Sequence, residues 1–125
     1  MSEKNKKQFG VWMDSQHATI VGRKDIDSGD FTILGHVKND DASGNSNENA
    51  ANHQKIALIH KFFKEIVHTI PNMDEIHVTG TGQIQEQFIK FLSETPQYKN
   101  AKSTESTSNK MSDEQLLILV TKHFN

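Results

Sequence analysis

The sequence predicts an α/β fold, a mixed β-sheet with helices packed on it. Three observations carry this expectation. Residues 74–92, DEIHVTGTGQIQEQFIKFL, pass from strand-like alternation at Ile76 and Val78, through a Gly80-Thr81-Gly82 break, into helical spacing at Ile84, Phe88, Phe91 and Leu92. That is the strand–turn–helix joint from which α/β sheets are assembled. Residues 9–37 hold short apolar runs separated by polar turns, as in an antiparallel meander. Elsewhere, residues 56–70 and 112–124 repeat apolar side chains at helical spacing.

Taken in order, residues 1–7 contain Lys4, Lys6 and Lys7 and read as a frayed arm. Phe9, Val11 and Met13 alternate with Gly10, Trp12 and Asp14. After Ser15-Gln16-His17 the apolar pattern returns at Ala18, Ile20 and Val21, which predicts a hairpin. Asp27-Ser28-Gly29-Asp30 makes a second turn before a third strand at Phe31, Ile33, Leu34 and Val37. Residues 39–53 carry no large apolar side chain. They cannot offset an ordering entropy of about 1–2 kcal/mol per residue, so a mobile loop is expected. Ile56, Ile59, Phe63, Ile66, Val67 and Ile70 form one stripe of a long helix that Pro71 ends. The strand and helix of 74–92 follow, stopping near Thr95-Pro96. Residues 98–106, YKNAKSTES, have a weak edge-strand pattern. Ser112 with Gln115 reads as a capping box that opens a last helix, whose apolar face is Leu116, Leu117, Val120 and Phe124. The expected order is β-β-β-α-β-α-β-α.

A chain of 125 residues suits one domain built on a single sheet. With no cysteine, it has no disulfide and no thiolate metal site. No apolar run approaches the roughly 18 residues that span a bilayer, and MSEKNKKQ leads into a strand without a signal-peptide core. The expectation is a soluble cytoplasmic protein. A net charge of −2, with Arg23 the only arginine, argues against a general nucleic-acid binder. Any RNA contact should be local.

Chemistry has few places to sit. Gly80, Thr81, Gly82 and Gln83 form a strand-to-helix turn whose N–H groups could hold an anion or RNA phosphate. The full dinucleotide fingerprint fails at Gln85, and no Walker lysine is present. The competing reading is structural: such glycines allow positive φ and close helix packing. Asp14, at the end of the first strand, is the weak catalytic candidate. Two-metal chemistry needs several converging carboxylates, yet the turn after the fourth strand offers Thr79, Thr81 and Gln83, and Asp74 and Glu75 lie at that strand's other end. A turn-capping role for Asp14 is the alternative. The 7 histidines include no pair four residues apart on a helix, so no metal site is expected. Neither a Gly-x-Ser-x-Gly elbow nor a cofactor motif appears. Lys55, Lys61 and Lys64, on the polar side of the long helix, are either a solvated face or a contact for RNA backbone. Trp12 and Tyr98 could stack on bases only if exposed, and Trp12 lies in a core-facing pattern.

Two segments together resemble a known family. FGVWMDSQHATIVG looks like the opening hairpin of bacterial relatives of the archaeal and eukaryotic release-factor and Pelota proteins, in which a strand ending in aspartate precedes an alanine-containing return strand. VTGTGQIQEQFIKFL is similar to the Pelota middle domain, whose strand runs into Gly-Pro-Gly-Phe, a lysine, an acidic residue and a phenylalanine. Gly80, Gly82, Glu86 and Phe88 match that pattern; Thr81, Gln83 and Gln85 stand where it has proline, phenylalanine and lysine. KSTESTSNKMSDEQL looks like the family's strand, polar linker and closing helix. The resemblance implies a ribonuclease-H-like fold of the release-factor middle-domain type and a setting on the ribosome or tRNA. It does not imply peptidyl-tRNA hydrolysis, because the sequence holds no Gly-Gly-Gln; Gly82-Gln83 follows a threonine and opens a helix. The leading expectation is therefore a non-enzymatic, translation-associated binding module. A metal-dependent nuclease or phosphoesterase using Asp14, and a protein-interaction adaptor acting through the edge strand or the 39–53 loop, are the alternatives.

Overall fold

The computed structural model describes residues 7–14, 16–24, 30–39, 59–70 and 72–124. The central strand is β1 (Gln8–Met13), which pairs antiparallel with β2 (His17–Arg23) and parallel with β4 (Glu75–Gly80). Beyond β2 lies the antiparallel β3 (Phe31–Lys38), and beyond β4 the parallel β5 (Lys102–Thr107). The sheet order is β3-β2-β1-β4-β5. Among the described residues three helices join it: α1, helical over 59–68, α2 (Ile84–Glu94) and α3 (Asp113–Phe124). The expected order of elements is observed, including the weakly signalled strand near residue 102.

Strand alternation decides which helix covers which face, because successive side chains point to opposite sides. Phe9, Val11, Met13, Ala18, Ile20, Ile76 and Val78 pack against α1 and α2, where Phe63, Ile66, Phe88 and Leu92 meet them. Trp12, Val21 and Phe31 turn the other way and pack on Leu116 and Val120 of α3. Both faces of β1 are thus buried. The amphipathic pattern expected of β1 is really a strand covered on both sides, and Trp12 is 3% exposed. Fully burying a side chain such as Phe88 or Ile66 stabilises by about 1.5–3 kcal/mol. Gly10 faces α3: a Cβ there would stand 2.3 Å from Val120 Cγ2, so the glycine sets how closely α3 approaches the sheet.

A register shift in β3 lets one strand serve both cores. Ile20 pairs with Gly35 and Val21 with Ile33, so Leu34 is the extra residue of a bulge. Phe31 and Ile33, before it, face α3, whereas Val37, after it, packs toward α1 and α2.

Local chemistry closes the ends. Ser112 Oγ accepts from the Gln115 N–H at 3.1 Å, and Gln115 Oε1 accepts from the Ser112 N–H at 3.2 Å, which is the expected capping box. The C-terminal end of α1 is held by Tyr98, buried, whose hydroxyl donates to the carbonyls of Val67 at 3.2 Å and Ile70 at 2.9 Å. Phe62, absent from the expected stripe, is buried beside Phe63. Lys7, placed in the frayed arm by the sequence, is instead tied to Asp74: its N–H donates to Oδ2 at 2.8 Å, and its carbonyl accepts from the Asp74 N–H at 2.8 Å. The rest of that arm, the 40–53 portion of the expected loop, Ile56, the 25–29 part of the second turn and Pro71 lie outside the described residues.

Candidate functional site

The parallel register sets Gly80 opposite Met13, so the carboxyl ends of β1 and β4 lie side by side. Ligands of open α/β sheets bind beyond such ends. Gly80 is the last residue of β4; Thr81, Gly82 and Gln83 form an exposed turn, and α2 begins at Ile84. The two glycines differ in kind. A Cβ on Gly80 would stand 2.1 Å from the Met13 carbonyl oxygen, so glycine is required there by close backbone approach. At Gly82 a Cβ would meet nothing within 4 Å, and neither glycine adopts a left-handed φ. Neither anticipated role, positive φ or close helix packing, is the main one: at Gly80 the tightest approach is to the backbone of β1.

Gln85, wholly buried, fastens this corner. Its Nε2 donates to the Gly80 carbonyl at 3.2 Å and the Ser106 carbonyl at 3.1 Å, while its Oε1 accepts from the Gly82 N–H at 3.3 Å. A buried amide so satisfied rigidifies its surroundings. One N–H of the corner is therefore already engaged. Gln83 occupies the N-cap without a side-chain capping bond, but Ile84 and Gln85 behind it are buried and Glu86 in the first turn adds a negative charge, so the helix start itself offers an anion little.

Asp14 follows β1 and serves the hairpin turn. Its Oδ1 accepts from the N–H groups of Gln16 at 2.8 Å and His17 at 2.6 Å, with His17 Nδ1 at 3.7 Å. The carboxylate caps the turn, the alternative role considered from sequence. Among the described residues no three His, Cys, Asp or Glu side chains come together as a metal site. Lys61 and Lys64 lie on the exposed side of α1; Lys55 lies outside the described residues. Between α1 and α2 runs a cleft of about 270 Å³ floored by Phe63 and Phe91 and edged by His60 and Lys90.

On the opposite face, a polar ladder escaped the sequence reading. Parallel pairing sets His77 against Thr104 and Thr79 against Ser106. His77 is 6% exposed, with Nδ1 2.8 Å from Thr104 Oγ1 and Nε2 3.0 Å from Ser106 Oγ. Ser106 donates to Thr79 at 2.8 Å, which in turn lies 2.8 Å from Ser108 Oγ. Since the Ser106 proton goes to Thr79, the Ser106 oxygen accepts from His77 Nε2, leaving Nδ1 to accept from Thr104. His123 of α3 stacks on His77 at 4.0 Å and reaches Thr104 Oγ1 at 3.2 Å. Burial, with the His123 imidazole adding to it, lowers the His77 pKa from 6.5 to about 4. The ring is neutral near pH 7 and can both donate and accept. The signal for this ladder was the alternation His77, Thr79 against Thr104, Ser106, legible only once β4 and β5 were known to be in parallel register.

This sheet order, with two helices on one face and one on the other, defines the class: a ribonuclease-H-like mixed α/β fold of the release-factor middle-domain type. Particular solved structures share it. Archaeoglobus fulgidus Pelota superposes with a TM-score of 0.60 at 13% identity, over 98% of this chain and 32% of that one. Thermoplasma acidophilum Pelota gives 0.51 at 15%, over 98% and 33%. The archaeal translation termination factor aRF1 gives 0.59 at 12%, over 92% and 34%. The chain spans about a third of the length of these proteins. No family model matches the sequence, and no curated protein does. The resemblance read from the two segments is thus borne out as a likeness of fold. No helix among the described residues is long and apolar enough to cross a membrane.

Proposed function

We propose that this chain is a translation-associated binding module that docks on the ribosome or tRNA in the cytoplasm and does not hydrolyse peptidyl-tRNA. The observation that carries the reading is the likeness of fold, over nearly all of this chain and about a third of each neighbour, to Pelota and to a translation termination factor. The absence of Gly-Gly-Gln from the sequence supports a binding role over a hydrolytic one. Lys55, Lys61 and Lys64 would meet phosphates as point charges, and the exposed turn Thr81-Gly82-Gln83 that follows Gly80 would offer its backbone to a further phosphate. Such a contact is electrostatic and salt-dependent. Ribosome-profile sedimentation of the tagged protein tests it. Co-migration with subunits or ribosomes, lost on raising salt, is expected; confinement to free-protein fractions in growth and in starvation refutes it.

A second reading, a protein-interaction adaptor, draws support from β5, which among the described residues ends the sheet and pairs only with β4. Its free edge suits strand addition by a partner. Proline substitution of a β5 residue whose N–H points outward should abolish capture of such a partner while leaving ribosome sedimentation intact.

A further inference from the structure

We propose that the outward face of α3 is a self-association surface, on which a second copy of this chain lays its own α3 antiparallel about a two-fold axis at Ile118. The inference starts from an excess of apolar residues. Leu116 and Val120 point into the sheet, and Leu117 and Leu119 flank them, partly buried. At 100° per residue, Ile118 falls on the side opposite Leu116 and Val120. It is 62% exposed. The other exposed large apolar residue among those described, Leu34, is 37% exposed and is accounted for by the bulge in β3. A surface helix normally keeps its outer face polar; here Ile118 stands as the apolar residue on an outer face otherwise made of Glu114, Gln115, Thr121 and Lys122.

Charge identifies the occupant. Glu114 and Lys122 are both exposed and stand about one turn before and after Ile118. With two α3 helices antiparallel and Ile118 facing Ile118, each Glu114 lies opposite the partner's Lys122. A parallel pairing would set Glu114 on Glu114 and Lys122 on Lys122. The face is therefore complementary to itself in one orientation only, as a two-fold interface requires. Antiparallel packing also opposes the helix dipoles favourably. A shallow depression of about 350 Å³, lined by Leu117, Ile118, Thr121 and Lys122, gives the partner's isoleucine a seat. The helix has 12 residues. A helix of that length is about 18 Å long, too short to reach the roughly 1,200 Å² of a tight complex, so the pair is weak and concentration-dependent.

Sedimentation of the full chain from about 10 μM to 1 mM at low salt reads this directly. The wild type should shift from 14.1 kDa toward twice that mass. Ile118→Asp should remain monomeric throughout, with an unchanged far-UV circular dichroism spectrum. Glu114→Lys and Lys122→Glu should each weaken association about tenfold or more when alone. An equimolar mixture of those two variants should associate more tightly than either by itself, a gain that no folding defect can produce. A wild type monomeric at about 1 mM, a dimer that survives Ile118→Asp, or a mixture no tighter than its components would each overturn the proposal.

Discussion

Substituting Gly80 by alanine measures how much of the fold depends on the corner between β4 and α2. The new Cβ would lie 2.1 Å from the Met13 carbonyl oxygen and 3.0 Å from Gln85 Oε1. The first obstacle is backbone of the central strand and has no rotamer by which to withdraw. Reaching an ordinary contact means parting β1 and β4 by about 1 Å where Met13 and Gly80 are in register. Overpacking of this kind costs about 1–3 kcal/mol. The upper end is expected, because the hydrogen bonds of Gln85 tie the displaced end of β4 at Gly80 to the turn at Gly82 and to β5 at Ser106. Gly82 is the internal control. An alanine there meets no atom within 4 Å and keeps an ordinary φ, so it should be neutral or stabilise by about 0.4–1 kcal/mol through the unfolded chain. Urea titrations separate the two. With a slope of about 1–3 kcal/mol per molar, Gly80→Ala should lower the midpoint by about 1 M or more, while Gly82→Ala holds or raises it. Gly80→Ala within about 0.5 kcal/mol of wild type, or Gly82→Ala as the more damaging change, would refute the close-approach argument.

Asp14→Ala removes the acceptor for two N–H groups of the hairpin turn and should cost about 1–2 kcal/mol in thermal or urea unfolding, with Asp14→Asn losing less. Because the His77 pKa is lowered in the fold, from 6.5 to about 4, the unfolded chain binds the extra proton first. The stability that neutral His77 contributes is therefore full above pH 6.5 and declines as pH falls toward about 4, by on the order of 3 kcal/mol; His77→Asn should flatten that slope in unfolding titrations run between those limits. Tyr98→Phe keeps the buried ring but strips the hydroxyl from the carbonyls of Val67 and Ile70 at the end of α1, at about 1–2 kcal/mol by denaturant midpoint. If the RNA reading holds, Lys61→Glu with Lys64→Glu should weaken sedimentation with ribosomes and reduce the salt dependence of RNA binding by a log–log slope of about 1.4, two phosphate contacts at about 0.7 each.

What the sequence disclosed and what it hid follow one physical division. Elements stabilised by apolar burial announced themselves: β1 through Phe9, Val11 and Met13, α2 through Ile84, Phe88 and Leu92, α3 through Leu116 and Val120 behind a capping box that closes as expected. Elements held by polar pairing did so only weakly. β5 is KSTEST, with no apolar residue, and its place depends on ladder bonds to β4 and on hydroxyls meeting His77 and Thr79. Gln85 reads as a surface residue at a helix start yet is the most heavily used side chain of the corner, because its three partners come from β4, the turn and β5. Likewise, neither His77 nor His123 implies the other until α3 folds back over the sheet. Periodicity reports burial along one element, whereas a hydrogen-bond network is a property of elements brought together. The same division bears on the candidate site. Where the resemblance has lysine, this chain has Gln85, and the structure turns that position inward to hold the corner shut. A lysine there could not be buried without a partner for its charge. Keeping Gln85 inside and keeping the Gly80 turn tight are therefore one arrangement, because the same amide holds the end of β4, the turn and β5 together.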